Sequence, residues 1–463
     1  MAQESSLTRE VARWIVHQSQ QDMPATVQNH VRRMILDHLG GVVASSVGEV
    51  SQVVGRHVAR SYGPGPATAI GHGPVTALGA ALLNGTNGHG IETDDGYTPG
   101  SFHPTCVVLP AVFAVGEEHG LDAERILKSA AIGMEIGCRI AAAGHPATRR
   151  NHFHNTPVAG IFGATAAVSV LLGLNEEQTA NALGIAGSHV GGLFEFLGQS
   201  AEIKRFHPGK AARDGIASAE LAFEGLTGPT SILEGAEGYF ASYAGDEGTD
   251  WFAEKVTGGL GEQWVLLRTY IKPYPCCRHL HGAIDAARAL RAEHNFALAD
   301  ITAVHVGTFS IAVGHASRDV STMMASQLSI PFTLAVALDR GEVTLRDFTE
   351  EARQSPPLHE LMQKVVVELD EQAERDYPNH GRPAEVTLTL SDGRRLTHRV
   401  QFPEGEPDAP ISNADLELKV RSLTTDIIGV AATDTLIESC WNFQNLDFLK
   451  KIDEQVRHRQ PVA

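Results

Sequence analysis

The sequence predicts a mainly α-helical protein, in which an all-helical domain formed by both chain ends carries an inserted α+β domain. Apolar residues recur at helical spacing through the first half, as in residues 27–46, 126–143 and 176–193. After Trp251, glycines interrupt this pattern and runs of β-branched and aromatic residues follow. At 463 residues the chain exceeds the usual size of one hydrophobic core, which favours two domains.

Strand patterns are confined to the second half of the chain. Residues 301–311 fit a strand, and residues 384–402 fit two strands joined at Ser391-Asp392-Gly393, where the Asp-Gly step is typical of a hairpin turn. Between them, residues 329–338 and 345–367 have helical spacing.

A turn-rich stretch at 403–410 marks the return to helix, and Ser412 begins a capping-box pattern there. We therefore predict a helical domain of residues 1–265 and 404–463, with an α+β domain of residues 266–403 inserted into it.

Composition and charge exclude several classes of protein. The formal net charge of −18 argues against nucleic-acid binding, which needs a basic face. Five cysteines without C-x-x-C spacing indicate a reducing compartment, and the N-terminus has no signal-peptide pattern, so we expect a cytoplasmic protein. The uncharged run 157–174 approaches membrane-spanning length, but it is rich in Gly and Ala and stands alone. We interpret it as a buried core helix and expect no membrane partner.

Four segments concentrate titratable side chains among glycine, proline and small residues: 89–104, 152–157, 202–210 and 272–281. Their histidines and carboxylates could transfer protons near neutral pH, and their lysines and arginines could bind an anion. Removing a proton next to a carboxylate creates further negative charge, so such a site needs both kinds of group. The set suits a small polycarboxylate, and a cleft between the domains is where we expect it to bind.

Metal chemistry is an alternative use of the same residue types. Candidate ligands fall in two groups, His89, Glu92, Asp94, Asp95 and His103, and then Cys276, Cys277, His279 and His281. Neither group has a familiar ligand spacing, so we expect no metal. The sequence also lacks a G-x-G-x-x-G after a strand, a phosphate-binding loop and a G-x-S-x-G, so we expect no cofactor.

The titratable segments resemble motifs of the MmgE/PrpD family. The matching stretches are E-T-D-D-G followed by H-P at 103–104, F-H at 153–154, I-K-R-F-H-P-G-K at 203–210 and K-P-Y-P-C-C-R-H at 272–279. They occur in the family's order, and the resemblance extends over almost the whole chain from L-D-H-L-G at 36–40. It implies an all-α domain with an inserted α+β lid, a homodimer, and an activity like those of 2-methylcitrate dehydratase, cis-aconitate decarboxylase or iminodisuccinate epimerase.

Carried over position by position, the resemblance implies a cofactor-independent acid/base enzyme. The active-site acid corresponds to Glu92 or its neighbour Asp95. The residues implied to be catalytic are Glu92, Asp95, His103, His154, Lys204 and Lys272. The residues implied to bind the substrate or line its pocket are His207, Lys210, Arg278 and His279. In this scheme the lysines hold substrate carboxylates, and the histidines and the acid transfer protons.

Two departures from the family pattern bear on the reaction. Glu92 stands where many members have Asp, and the helix in which some members, including the decarboxylases, place a tyrosine reads Ile330-Pro331-Phe332. The missing hydroxyl weighs against decarboxylation, so the sequence favours a 2-methylcitrate dehydratase-like lyase. The alternatives are an iminodisuccinate epimerase-like isomerase or a cis-aconitate decarboxylase. From other classes, a metal-dependent hydrolase or isomerase and a non-catalytic anion-binding protein also fit.

Overall fold

A computed structural model describes residues 6–196, 201–245 and 249–459. The chain forms two compact units, a helical unit of residues 1–270 and 413–463 and a mixed unit of residues 271–412. As the sequence predicts, the fold is mainly helical with only small sheets.

The chain begins in the helical unit, whose first part contains a series of helices and one short antiparallel hairpin. They are α1 (Leu7–Ser19), α2 (Ala25–Ser46), α3 (Glu49–Ser61), β1 (Ala67–Ala69), β2 (Gly73–Val75), α4 (Ala77–Gly88), α5 (Thr105–His119), α6 (Ala123–Gly144), α7 (Ala147–Arg150), α8 (Asn155–Leu172), α9 (Glu176–His189), α10 (Ile203–Phe223), α11 (Tyr239–Tyr243) and α12 (Thr249–Thr257).

The mixed unit follows and the chain then returns to the helical unit. The mixed unit contains α13 (His281–Glu293), β3 (Ile301–Thr308), α14 (Ser310–Val313), α15 (Met323–Gln327), α16 (Ile330–Arg340), α17 (Glu350–Arg353), α18 (Pro356–Gln363), β4 (Val365–Leu369), α19 (Glu371–Asp376), β5 (Ala384–Leu390) and β6 (Arg395–Val400). The returning helices are α20 (Asn413–Ile428), α21 (Val430–Trp441) and α22 (Asp447–Arg459).

Helix α8 forms the centre of the helical unit. It packs against α5, α6, α9 and α10, and it is long and apolar enough to cross a membrane. However, 94% of its apolar window is buried inside the protein. This confirms the predicted core helix, because a lipid-facing helix would leave one side without protein contacts.

Helices α4 and α10 cross at two glycines, Gly85 and Gly209. A Cβ atom on Gly209 would lie 2.0 Å from the backbone oxygen of Leu82, so only glycine allows this approach. The crossing positions the loop that follows α4 and the first turns of α10, which both carry residues of the predicted site.

The mixed unit is built on a four-stranded sheet of order β4-β3-β5-β6. β3 pairs in parallel with β4 and antiparallel with β5, and β5 and β6 form the predicted hairpin. Helix α13 packs on β5, β6 and α16, and Ile284, Phe309 and Phe332 are among the buried residues of this core.

One local prediction is wrong in part. Residues 345–367 were predicted to be helical, but this stretch forms short helical pieces and ends in β4. Val365 pairs with Val304 of β3, and this contact with a strand far along the chain overrides the local helical spacing. The β1–β2 hairpin was also not predicted from the sequence.

Candidate active site

The loop between α4 and α5 carries the first group of predicted site residues. It holds His89, Glu92, Asp94 and Asp95, which are all buried, and His103, whose side chain is 17% exposed. The loop can be this deep because its polar groups find partners inside the protein, as buried polar groups must.

Asp94 is the hydrogen-bond acceptor that links two histidines of this loop. Its Oδ2 atom lies 2.6 Å from Nδ1 of His89 and 2.9 Å from Nδ1 of His103. The backbone oxygen of Asp95 also lies 2.5 Å from Nδ1 of His103. In a neutral imidazole, a donating Nδ1 leaves Nε2 as the basic nitrogen. The contacts therefore fix His103 in the tautomer that can accept a proton at Nε2.

Glu92 forms an ion pair with Lys204, which lies in the first turn of α10. The Glu92 side chain is 5% exposed and that of Lys204 is 15% exposed, so water weakens this pair much less than a surface pair. Glu92 has a left-handed backbone conformation, with φ of 58°. That conformation costs a residue other than glycine about 1–2 kcal/mol, and it persists only where the surrounding structure holds it.

His154 and His207 form a second histidine pair. Their Nδ1 atoms lie 3.1 Å apart, so one ring must donate and the other accept. The rings of Phe194 and Phe196 pack against His154 at centroid distances of 5.5 and 5.4 Å. Burial lowers the pKa of His154 well below its usual value and that of His207 to about 4.

The pKa of His89 is also lowered by burial, to about 4, and the nearby positive charge of Lys204 contributes to this shift. His89, His154 and His207 are therefore uncharged at neutral pH, as proton acceptors need to be. Since Lys204 and His103 also act on the pKa of His154, the loop, α10 and the start of α8 form one electrostatic group.

Asp95 is fully buried, and its Oδ1 atom accepts hydrogen bonds from the side chain and backbone of Thr105. Within the described residues its Oδ2 atom has no partner. Burial raises the pKa of Asp95 to about 8. Asp95 is thus an uncharged acid at neutral pH, which suits a proton donor or a structural group rather than a base. Its predicted catalytic role stays a prediction.

Lys210, one turn after His207 on α10, has its own partners. Its Nζ atom donates to the backbone oxygen of His189 at 2.9 Å and lies 3.2 Å from Asp214. These contacts hold the end of α9 against α10. A role in binding the substrate stays a prediction for Lys210.

The other predicted residues, Lys272, Arg278 and His279, belong to the mixed unit. Lys272 is 1% exposed. Arg278 donates to a side-chain oxygen of Glu406 at 3.1 Å and to backbone oxygens in the segment 403–404, which favours a structural role within that unit. Burial holds the pKa of His279 well below its usual value, and Arg382 lowers it further. The roles of all three in catalysis or binding stay predictions.

One group of side chains has the composition of a metal site. Ligand atoms of His89, Asp94 and Cys106 lie within 4.8 Å of one another, and all three residues are buried. However, His89 and Asp94 are hydrogen-bonded at 2.6 Å, whereas two ligands of one tetrahedral ion at usual bond lengths lie roughly 3.3 Å or more apart. The geometry favours a hydrogen-bonded network here.

Sequence reasoning missed the importance of Asp94. It considered Asp94 only as a metal ligand or a turn residue, because adjacent aspartates before glycine are typical of turns. The available signal was the pair of histidines, His89 and His103, that flank it in one loop.

The sequence of the chain matches family models of known proteins. The model of the MmgE/PrpD N-terminal domain matches residues 9–251, and that of the MmgE/PrpD C-terminal domain matches residues 274–443. The cis-aconitate decarboxylase-like protein oryM of Aspergillus oryzae is 29% identical over 452 residues, which is 92% of each chain. Human cis-aconitate decarboxylase is 28% identical over 443 residues, which is 90% of this chain and 87% of the human protein.

A relative with a different named activity matches a shorter stretch. The alkylcitrate dehydratase phiI of a fungal species is 27% identical over 270 residues, which is 53% of this chain and 51% of that protein. The two family domains together span most of the sequence, in the order expected from its motifs, and the chain therefore belongs to the MmgE/PrpD family.

Proposed function

We propose that this protein is a lyase that transfers a proton at a carbon next to a carboxylate of a small polycarboxylate, with dehydration of a 2-methylcitrate-like substrate as its reaction. The observation that carries this proposal is the fixed tautomer of His103, whose Nδ1 faces Asp94 and the backbone oxygen of Asp95. This arrangement leaves Nε2 as a base in the same electrostatic group as the half-buried cation Lys204.

In the proposed reaction, His103 accepts the proton from the carbon atom. The imidazolium that forms is stabilised by Asp94, as a buried carboxylate stabilises the histidine of a catalytic triad. Lys204, held by Glu92, binds a substrate carboxylate and offsets the negative charge that develops. A second acidic group of the site gives its proton to the hydroxyl group, which leaves as water, so a C–H and a C–O bond break and a C=C bond forms.

Decarboxylation is the second candidate, and the names of relatives favour it. Proteins that match about 90% of this chain at 28–29% identity are named as cis-aconitate decarboxylases or as like them. In that reaction a carboxylate leaves as CO2 and the carbanion takes up a proton, which a protonated histidine could supply. Against it, the segment Ile330-Pro331-Phe332, in the helix where the family resemblance implies a tyrosine in the decarboxylases, carries no hydroxyl group, and its Ile330 and Phe332 are buried in the core of the mixed unit.

The first test is proton NMR in deuterium oxide, with chelator-treated protein and a panel of 2-methylcitrate, citrate, cis-aconitate and iminodisuccinate. Loss of water from 2-methylcitrate or citrate supports the proposal, and CO2 release from cis-aconitate supports the second candidate. Deuterium exchange at iminodisuccinate alone would favour an epimerase. No reaction across the panel, or reaction only after metal is added, contradicts the acid/base proposal.

Two substitutions connect the activity to the proposed residues. His103→Ala and Lys272→Ala should each lower turnover by about two to four orders of magnitude, the usual contribution of a general acid/base or charge-stabilising group. His145→Gln is a matched control, because His145 is, like His103, a half-buried histidine of the helical unit, but it lies outside the site. Near-normal turnover in folded His103→Ala protein would remove His103 from the mechanism.

A further inference from the structure

Two charged residues far apart in the sequence form a buried pair at the loop between α4 and α5, which carries Glu92 and is called the Glu92 loop below. Lys419 on α20 forms an ion pair with Asp37 on α2, in the L-D-H-L-G stretch. The same ammonium group donates to the backbone oxygen of Thr93 at 2.8 Å. The side chains of Lys419 and Asp37 are only 7% and 1% exposed. A buried charge pair of this kind is costly to build unless its hydrogen bonds are made.

The acceptor of this hydrogen bond is the residue that follows Glu92. Glu92 has φ of 58°, a conformation that only its surroundings can maintain in a residue other than glycine. The backbone of α2 comes close to the same place, since a Cβ atom on Gly41 would lie 3.0 Å from Oγ1 of Thr93. The strained turn is therefore held from two sides, by the helix backbone and by the Lys419 ammonium.

We propose that Lys419, oriented by Asp37, is a positioning residue for Glu92. By fixing the Thr93 carbonyl group it holds the left-handed turn, and the turn directs the Glu92 carboxylate to Lys204. Lys204 is thereby kept in one place to bind the substrate carboxylate. This inference rests on the proposed function, because it assigns Lys204 that task.

The L-D-H-L-G stretch at 36–40 has no role in the proposed acid/base mechanism, but Asp37 in this stretch orients Lys419. Asp37 has no role in the proposed proton transfer, but it neutralises Lys419. Without Asp37, the buried ammonium group would be uncompensated, and without Lys419 the buried Thr93 oxygen would lose its donor. The pair connects a helix near the end of the chain to the loop that carries Glu92.

The test compares Lys419→Met and Lys419→Arg in the full chain. Lys419→Met should lower kcat by about 100-fold, the effect of a displacement of about 1 Å at a catalytic group, and should also raise KM, because Lys204 binds the substrate carboxylate. Lys419→Arg keeps the charge and the donor, so it should recover most of the kcat. Arg457→Met is the control, because it breaks another ion pair of the helical unit, that with the buried Asp453, at the β1–β2 turn.

A second measurement does not depend on the substrate. Hydrogen–deuterium exchange at the amides of residues 92–96 should become faster in Lys419→Met than in wild type, and should stay unchanged in Arg457→Met. If Lys419→Met does not fold, the double variant Asp37→Asn with Lys419→Met, which replaces both charges of the pair by neutral groups, takes its place.

The outcomes separate this proposal from the proposed function. If the wild-type protein converts no member of the substrate panel, the proposed function fails and the exchange at residues 92–96 alone decides the positioning role. Wild-type kcat in folded Lys419→Met protein, or unchanged exchange at residues 92–96, would overturn the positioning role even where the wild-type enzyme is active.

Discussion

The Nδ1 atom of His89 lies 2.6 Å from Oδ2 of Asp94, and both side chains are completely buried. The same oxygen lies 2.9 Å from Nδ1 of His103. One carboxylate therefore determines the tautomers of two neighbouring imidazoles, and only one of them, His103, reaches solvent. Asp94 is the residue on which the proton-accepting state of His103 depends.

Replacing Asp94 by Asn should lower kcat by about two to four orders of magnitude, because the amide can present a donor to Nδ1 and select the wrong tautomer of His103. The measurement is kcat for the substrate identified by NMR. Asp453→Asn is a suitable control, since Asp453 is also buried and accepts two backbone hydrogen bonds, but at the β1–β2 turn. Normal kcat in folded Asp94→Asn protein would show that the tautomer is fixed by the Asp95 backbone oxygen alone.

The predictable parts of the fold are those in which local pattern and packing agree. The helical spacing of residues 27–46 and 126–143 corresponds to α2 and α6, and the side chain of Asp122 caps α6. The strand β4 was missed because VVVEL is short and its partner, β3, lies about sixty residues earlier in the chain. No local pattern contains that pairing.

The same distinction applies to the candidate site. His103 and His154 could be identified because each stands in a motif of its own. The function of Asp94 follows from two hydrogen bonds within a folded loop, and that of Lys419 from a contact with Thr93 across more than three hundred residues. Such contacts depend on how the helices pack, and the residue spacing within one segment does not predict that packing.

The close crossing of α4 and α10 predicts a sensitive position. Gly209→Ala should destabilise the protein by about 1–3 kcal/mol and lower Tm by roughly 1–5 °C, because the new methyl group would overlap the Leu82 backbone oxygen. Thermal unfolding tests this against Gly63→Ala, where a Cβ atom meets nothing within 4 Å. Equal Tm values for the two variants would contradict the crossing geometry.

The buried histidines predict a loss of stability in acid. Burial lowers the pKa of His38 to about 3, whereas an unfolded histidine titrates near 6.5. As the pH falls below 6.5, His38 therefore binds a proton in the unfolded state but not in the folded state, and the free energy of unfolding decreases. His38→Gln should lose less stability than wild type between pH 7 and pH 5, as measured by denaturant unfolding. The exposed His57, replaced in the same way, is the control for the effect of the substitution itself.

Asp95 predicts the opposite dependence on pH. Burial raises its pKa from the ordinary 3.8 to about 8, so between these values the folded state holds a proton that the unfolded state has lost. This group therefore reduces stability as the pH rises through that interval, and the loss is complete above pH 8. Asparagine resembles the uncharged acid and does not titrate. The Tm of Asp95→Asn relative to wild type should thus increase from pH 5 to pH 8. Parallel Tm curves over this range would mean that Asp95 is ionised in the folded protein, which would make it available as a base.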